Sequence, residues 1–522
     1  WGHVSSITSD SSGLWMGTAS GLFYADSRAW QLYYGPRFTP DGAVQILVSD
    51  SENCNDSGNV VVVTSTGVTM LTTAKWTLAQ KAQIMQSFQY PRHDRNGIVA
   101  EASLRTYGDL SSYAYNTEDS DSIWTGQYAV AAAMRFAVTG DENHRKSAWR
   151  TFEALEMLGN ITGIPGLVAR SMCSPLERVG EGEHPTNGCG DPNDESSKWH
   201  ASDSMPGWVW KGDTSSDTVN GHYFAYGLIL DYVAVTEDEK SRAVNVIDRL
   251  TSYIVENDLY YIDVTGEPTQ WGRWNPIDLN ENSKYVSERG VNSLEILGFL
   301  ALAYSVTEKP EYYATFQLLT ERHGYYENVL NQKIDNPYDD NHSDNELGFM
   351  GYHTLFYAYQ RLVMRTEPVD SELLKRLEDM VSPVVPSIRR WYSIVRNERN
   401  ALWLAGVAGA ASVAMTNTEI KRSVASLQLY SADLINWGVR NSDRWDCFLQ
   451  PYYSRDDPTQ LQMNKIRPPQ ERITGHFNSN PFTMDSSFES TTAFDAGGGT
   501  TEYSPAEWLL PYWMMRFYSL LE

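Results

Sequence analysis

Four blocks of polar and aromatic residues in this chain carry side chains able to bind a substrate or to move a proton. The first runs Trp208-Val209-Trp210-Lys211-Gly212-Asp213-Thr214-Ser215-Ser216-Asp217-Thr218-Val219-Asn220-Gly221-His222-Tyr223, from a Trp-rich loop into an apolar helix. Ser216 or Asp217 is expected to cap that helix, because a short side-chain oxygen satisfies the free N–H groups of a first turn. Its first turns then carry Asn220, His222 and Tyr223 near the mouth, with Asp213 in the loop before them. The second block, Asn341-His342-Ser343-Asp344-Asn345-Glu346, also opens a helix. Asp344 and Glu346 project differently from one turn, so at most one of them shares a space with His342. In the third, Arg289-Gly290-Val291-Asn292-Ser293-Leu294-Glu295, Asn292 and Glu295 lie at i, i+3 on one face. An internal Arg–Glu pair holding the helix start explains this block as well as a site does. The fourth pattern is scattered: Trp271-Gly272-Arg273-Trp274, Trp437, and His476 with its neighbouring asparagines.

Two chemistries suit these residue types. Hydrolysis of a glycoside needs one carboxylic acid to protonate the leaving oxygen and one carboxylate to activate water or attack. Asp213 or Asp217 facing Asp344 or Glu346 supplies that pair. β-Elimination from a uronate needs groups that neutralise a carboxylate and a base for the adjacent proton. Asn220, His222, Tyr223, Arg289 and His342 supply that set. The loops hold more acids than bases, which favours hydrolysis. Seventeen Trp and 31 Tyr give faces that pack on the apolar C–H faces of sugar rings, while Trp210, Lys211, Asn220, Trp271, Arg273, Trp274, Arg289, Asn292, Asn341, Trp437 and His476 are placed to take rings and hydroxyls. The expected partner is a polysaccharide or oligosaccharide. A glycan-binding or structural glycoprotein without turnover is the third class.

Other functions are set aside on charge and motif. Lys+Arg 41 against Asp+Glu 66 gives 41 − 66 = −25, a field that repels phosphate backbones and anionic membrane surfaces. No G-x-x-x-x-G-K-[ST], paired CxxC or HExxH occurs. Gly497-Gly498-Gly499 lacks the strand and helix that would make it a phosphate cradle. No cofactor is expected; Asp339-Asp340 beside Asp344 suggests calcium at most, without EF-hand spacing. The longest apolar run, Ala401 to Met415, falls short of the roughly 20 residues of a spanning helix and reads as a buried one, so no membrane insertion is expected.

A secreted protein is expected. Cys173 and Cys189 bracket a loop that one disulfide closes, with two free thiols as the other reading, and Cys54 and Cys447 remain as a second possible pair. Asn55 and Asn160 head glycosylation sequons. The start at Trp1-Gly2-His3, without a basic and apolar leader, reads as a processed or trimmed N-terminus.

Two changes of period lay out the elements that must position these blocks. Over residues 1–76, Gly13-Leu14-Trp15-Met16-Gly17-Thr18 and Gly21-Leu22-Phe23 are echoed by Gly58-Asn59-Val60-Val61-Val62-Val63-Thr64 and Gly67-Val68-Thr69, an offset of 45 to 46 residues. Glycine turns and β-branched or aromatic runs at that period predict short strands of propeller blades. The segment resembles the two-component-regulator propeller repeat in its G-L-W-M-G-T and following G-L-F. Two copies cannot close a propeller, so a small β appendage is expected.

From about Thr77 the period becomes helical, with helices predicted near 78–91, 122–139, 143–158, 218–236, 238–257, 288–306, 310–323, 345–364, 370–395, 400–415, 418–435 and 506–521. Ala137-Val138-Thr139-Gly140-Asp141-Glu142, Ala234-Val235-Thr236-Glu237-Asp238-Glu239 and Ser305-Val306-Thr307-Glu308-Lys309-Pro310 each end an apolar helix and start an acidic one, the signature of an αα-hairpin turn. Twelve helices, repeated hairpin turns and long irregular links resemble the (α/α)6 toroid of many glycoside hydrolases and polysaccharide lyases. The resemblance covers 77–522 and implies a mainly α fold with carbohydrate activity, without deciding between hydrolysis and elimination; a helical solenoid is the structural rival.

Overall fold

The computed structural model describes the whole chain except residues 1–2, 11–12, 20, 27–29, 34–36, 40–42, 50–58, 73–74, 180–184, 195, 335–342, 366–367, 397–399, 412–414, 438, 441–447, 454–458, 460, 467–494 and 497. Helix accounts for 55% and strand for 16%, which makes the protein mainly α.

Seven strands come first. β1 (Val4–Ser9), β2 (Leu14–Thr18), β3 (Gly21–Ala25) and β4 (Trp30–Tyr33) form one antiparallel meander; β5 (Val44–Ser49), β6 (Val60–Thr64) and β7 (Val68–Leu71) form a second. Side chains alternate across each sheet, and the inward set, Trp15, Leu22, Val44, Leu47, Val60 and Val62, makes a small core between the two sheets. Gly17 belongs to that contact, since a Cβ there would stand 2.4 Å from Val44 Cγ1. Arg37 ties this unit to the rest of the chain by donating to the carbonyls of Asp433 and Ile435.

The change to helix falls at Thr77, whose side chain and backbone form a capping box with Gln80. The helices are α1 (Leu78–His93), α2 (Asp121–Thr139), α3 (Glu142–Asn160), α4 (Pro175–Val179), α5 (Ser216–Leu228), α6 (Glu237–Glu256), α7 (Arg289–Thr307), α8 (Pro310–Arg322), α9 (Tyr325–Leu330), α10 (Ser343–Val363), α11 (Ser371–Val381), α12 (Val385–Val395), α13 (Ala401–Ala411), α14 (Asn417–Leu429) and α15 (Ala506–Phe517). Each of the twelve predicted segments corresponds to helix, with 370–395 divided into α11 and α12 and with the short α4 and α9 added in links. The three hairpin turns work as their residues dictate: Gly140 takes the left-handed conformation after α2, Thr236 and Glu239 form a capping box on α6, and Pro310 opens α8.

Six helices with nearly continuous apolar surface, α2, α5, α7, α10, α13 and α15, touch in that order, and α15 returns to α2. α3, α6, α8, α11 and α14 pack on the other side of their neighbours, and α1 packs on α15. Lys81 of α1 donates to the carbonyls of Leu427 (2.8 Å) and Gln428 (3.1 Å) at the end of α14, where a cation offsets the helix dipole. α7 is long and apolar enough to cross a membrane, but 89% of that stretch is buried inside the protein. The tightest approach is between α2 and α5: a Cβ on Gly126 would lie 2.1 Å from the Gly221 carbonyl oxygen, so only glycine lets the two backbones meet.

Short strands also occur in the links before the central helices. Ser171–Cys173, Val209–Lys211 and Trp199–Ala201 form a three-stranded sheet, and Tyr260–Ile262 pairs with Pro268–Arg273. The Cys173–Cys189 disulfide closes the first of these links. Cys54 and Cys447 lie outside the described residues.

Candidate functional site

Polar side chains from the first two turns of α2, α5, α7 and α10 meet in the middle of the helical core. Gln127 Nε2 donates to Glu346 Oε1, joining α2 to α10. Asn220 Nδ2 donates to Glu295 Oε1 at 3.2 Å and to the Leu347 carbonyl at 3.1 Å, joining α5 to α7 and α10. Trp274 Nε1 completes the layer with a 3.0 Å bond to Glu295 Oε2. Glu295, Asn220 and Trp274 are fully buried and Gln127 and Glu346 nearly so. Gln127 Oε1 and Asn220 Oδ1 are buried without a hydrogen-bond partner, an arrangement that costs stability unless something pairs with them.

Burial pushes the Glu295 carboxyl up to about 8, with the charges of Asp217 and Glu288 adding to the rise and the bonds from Trp274 and Asn220 opposing it. Glu295 therefore holds a proton at neutral pH. Asp217 differs in setting. It lies one turn before Asn220, is half-buried, and accepts a bond from the Ser215 hydroxyl at the start of α5. The N-cap is Ser215, one residue ahead of the Ser216 or Asp217 expected from sequence. Two carboxyl groups of opposite environment thus stand within electrostatic reach of each other.

Other expected residues take different positions. Asp213 has φ 52; burial works to raise its pKa, but Lys198 at 2.5 Å, the Gln270 N–H at 2.9 Å and the Arg170 charge outweigh it and hold it below the usual value. It staples the loop to the Pro268–Arg273 strand. His222 and Tyr223 turn away from Asn220. His222 Nδ1 shares a 2.7 Å bond with Tyr226 OH, and burial pushes the ring down to about 3, so it stays neutral. Tyr223 OH bonds Thr251 of α6 and its ring stacks on Phe299 at 4.0 Å. Tyr223 thus links α5 to α6 and α7, while His222 bonds within α5 and its buried Nε2 has no hydrogen-bond partner.

Among the aromatic residues, Trp210 and Trp274 are buried and Trp271 is 40% exposed. Trp210 packs on His200, and Lys211 pairs with Asp119. Arg273 pairs with Asp278 at 2.8 Å and lies over Tyr285. Arg289 does not pair with Glu295: its Nε donates to the Leu279 carbonyl and its Nη2 to that of Asn280. Asn292 Nδ2 bonds the Arg273 carbonyl at 2.9 Å. Trp437 Nε1 donates to Asp433. Asn160 is exposed, with its Oδ1 accepting from Arg249. Asp344 lies in the first turn of α10, and Asn341, His342, His476 and Asn55, like the Asp339-Asp340 pair, fall outside the described residues. Among the described residues, no group of three His, Cys, Asp or Glu is gathered to hold a metal.

The sequence pointed to Asn220 and Glu346, left Glu295 equally open to an Arg pair and to a site, and passed over Gln127. The available signal was an amide, Gln127, directly before the apolar run Tyr128 to Met134 in a helix buried over most of its length. No family model, curated protein or solved structure matches the chain.

Proposed function

We propose that the protein is a secreted carbohydrate-active enzyme built on an (α/α)6 toroid, hydrolysing glycosidic bonds of a polysaccharide or oligosaccharide by carboxylate acid/base catalysis. The contact circuit that returns from α15 to α2 supports the toroid, and the Cys173–Cys189 disulfide supports an oxidising compartment. The observation that carries the activity is the fully buried, proton-holding Glu295 of α7 within electrostatic reach of Asp217, half-buried at the start of α5. A carboxyl whose burial keeps it protonated at neutral pH is suited to the role of general acid.

In this reading Glu295 protonates the leaving oxygen, and Asp217 activates the water or attacks the anomeric carbon. Asn220 and Trp274 orient Glu295. Because Trp274 covers Glu295, access of substrate to Glu295 requires the segment that carries it to move aside, as links over active sites commonly do. Trp271, exposed in the same segment, supplies a face for a sugar ring. Elimination is the weaker reading, since Tyr223 is bonded to Thr251 inside the core and burial, which pushes His222 down to about 3, makes that ring a weak base. A screen of neutral and uronate polysaccharides, read by reducing ends and by ultraviolet absorbance of an unsaturated product, tests the proposal. Reducing ends without absorbance are expected. Unsaturated product would replace hydrolysis by elimination, and glycan binding without either product would leave a binding protein.

A further inference from the structure

The polar layer between α2, α5, α7 and α10 leaves one kind of group unmatched. Asn220 spends its amide protons on the Glu295 carboxyl at 3.2 Å and the Leu347 carbonyl at 3.1 Å, and because a backbone carbonyl only accepts, the amide cannot be turned round. Its Oδ1 is left buried with no hydrogen-bond partner. Gln127 repeats this from α2, donating from Nε2 to Glu346 and keeping a buried, unpaired Oε1. Asn292, one turn before Glu295 on α7, does so again: its Nδ2 donates to the Arg273 carbonyl at 2.9 Å, and its Oδ1 is buried and unpaired. All three side chains are at most 2% exposed. The unmatched atoms are therefore all acceptors, while the donors Asn220 Nδ2, Gln127 Nε2, Asn292 Nδ2 and Trp274 Nε1 are all in use.

Buried acceptors without partners cost stability, and three of them in the layer that holds Glu295 call for a ligand that donates. The charges that bear most on Glu295 are those of Asp217 and Glu288, both acidic. The nearby guanidinium groups are committed, Arg289 to the carbonyls of Leu279 and Asn280 and Arg273 to Asp278. A carboxylate or sulfate brought here would meet oxygens with nothing to donate to it, and a buried anion needs donors or a cation. A neutral sugar ring offers the converse, since its hydroxyls donate and its glycosidic oxygen accepts the proton of Glu295. We propose that the sugar bound beside Glu295 is uncharged, its hydroxyls donating to the amide oxygens of Asn220, Gln127 and Asn292, so that the substrate is a neutral glycan and not one with uronate or sulfate groups at the cleaved bond. This rests on the reading of Glu295 as the acid of a glycosidase, and it names the substrate class of that site.

Matched pairs of glycans test this on the wild-type chain: polygalacturonate, alginate and hyaluronan, each beside its carboxyl-reduced form, together with xylan, mannan and β-glucan. Turnover is read as reducing ends and binding by calorimetry. Cleavage is expected on neutral or carboxyl-reduced members, with kcat/KM lower by about 100-fold or more on any acidic parent, because the site's polar groups are left unpaired by the wrong substituent. An acidic parent cleaved as fast as its reduced form, or faster, would overturn the inference and leave the glycosidase reading standing. Neutral members that bind more tightly than acidic ones without being cleaved would keep the subsite and end the glycosidase reading. Neither binding nor cleavage across the panel would overturn both. A second arm uses single-deoxy versions of the best neutral ligand. At one position, loss of the hydroxyl should cost the wild type about 10-fold or more in kcat/KM, or in Kd for a glycan bound and not cleaved, and cost Gln127→Met nothing further. A deoxy series with no such position would also overturn the proposal.

Discussion

Glu295 is the acid of the proposed reaction, and its titration makes a measurable statement about stability. Its ordinary value is 4.5 and its value in the folded protein is about 8, so between those limits the folded state holds a proton that the unfolded state has released. The stability this group confers is complete below about pH 4.5, is lost as pH rises toward 8, and changes no further above that. Thermal melts should therefore fall between about pH 5 and 8 in the wild type and fall less in Glu295→Gln, which cannot titrate. Equal slopes in the two proteins would place the charge elsewhere. Little of this residue's role was legible in the sequence. Arg289 stands six positions before Glu295 and invites pairing, yet its guanidinium spends its donors on the carbonyls of Leu279 and Asn280. The groups that hold Glu295 come from Asn220, 75 residues away in sequence, and from Trp274, and side-chain partners at that distance leave no local pattern. Trp274 itself was found for its composition and expected against a sugar; it is a buried donor.

At the scale of elements the sequence was far more informative. Helices announce themselves by a period repeated over many residues, and caps such as Thr77 with Gln80 and Thr236 with Glu239 are written in adjacent positions. The short strands in the links were not foreseen, because two or three residues carry too little periodicity to register. Gln127 and Asn220 lie beside Gly126 and Gly221, where α2 and α5 come together, and from there reach Glu346 and Glu295. Gly126→Ala should force these backbones apart, costing at least the roughly 1–3 kcal/mol of ordinary overpacking, and chemical denaturation measures that cost. A variant as stable as the wild type would mean that the two helices have room to spare.

For the whole molecule, the question is whether the helical layer acts as one closed body. α15 is the last helix in sequence and buries Trp508, Leu509, Leu510 and Met514 between α13 and α2. Deleting residues 506–522 should remove cooperative unfolding from the entire helical region, whereas an open solenoid would lose only its terminal pair; calorimetry of the truncated chain separates the two. The hairpin turns and the twelve helical segments foretold much of this layout, while the return of α15 to α2 could not be read from periodicity, which records neighbours and not closure. The proposed mechanism sets a carboxylate at the start of α5 against the buried acid of α7. It is tested most directly by reducing-end release from the most active glycan of the screen, comparing wild type with Asp217→Asn. A drop of about 100-fold or more, with the melting temperature nearly unchanged, is predicted, as for removal of a general base. Turnover by Asp217→Asn at the wild-type rate would contradict it.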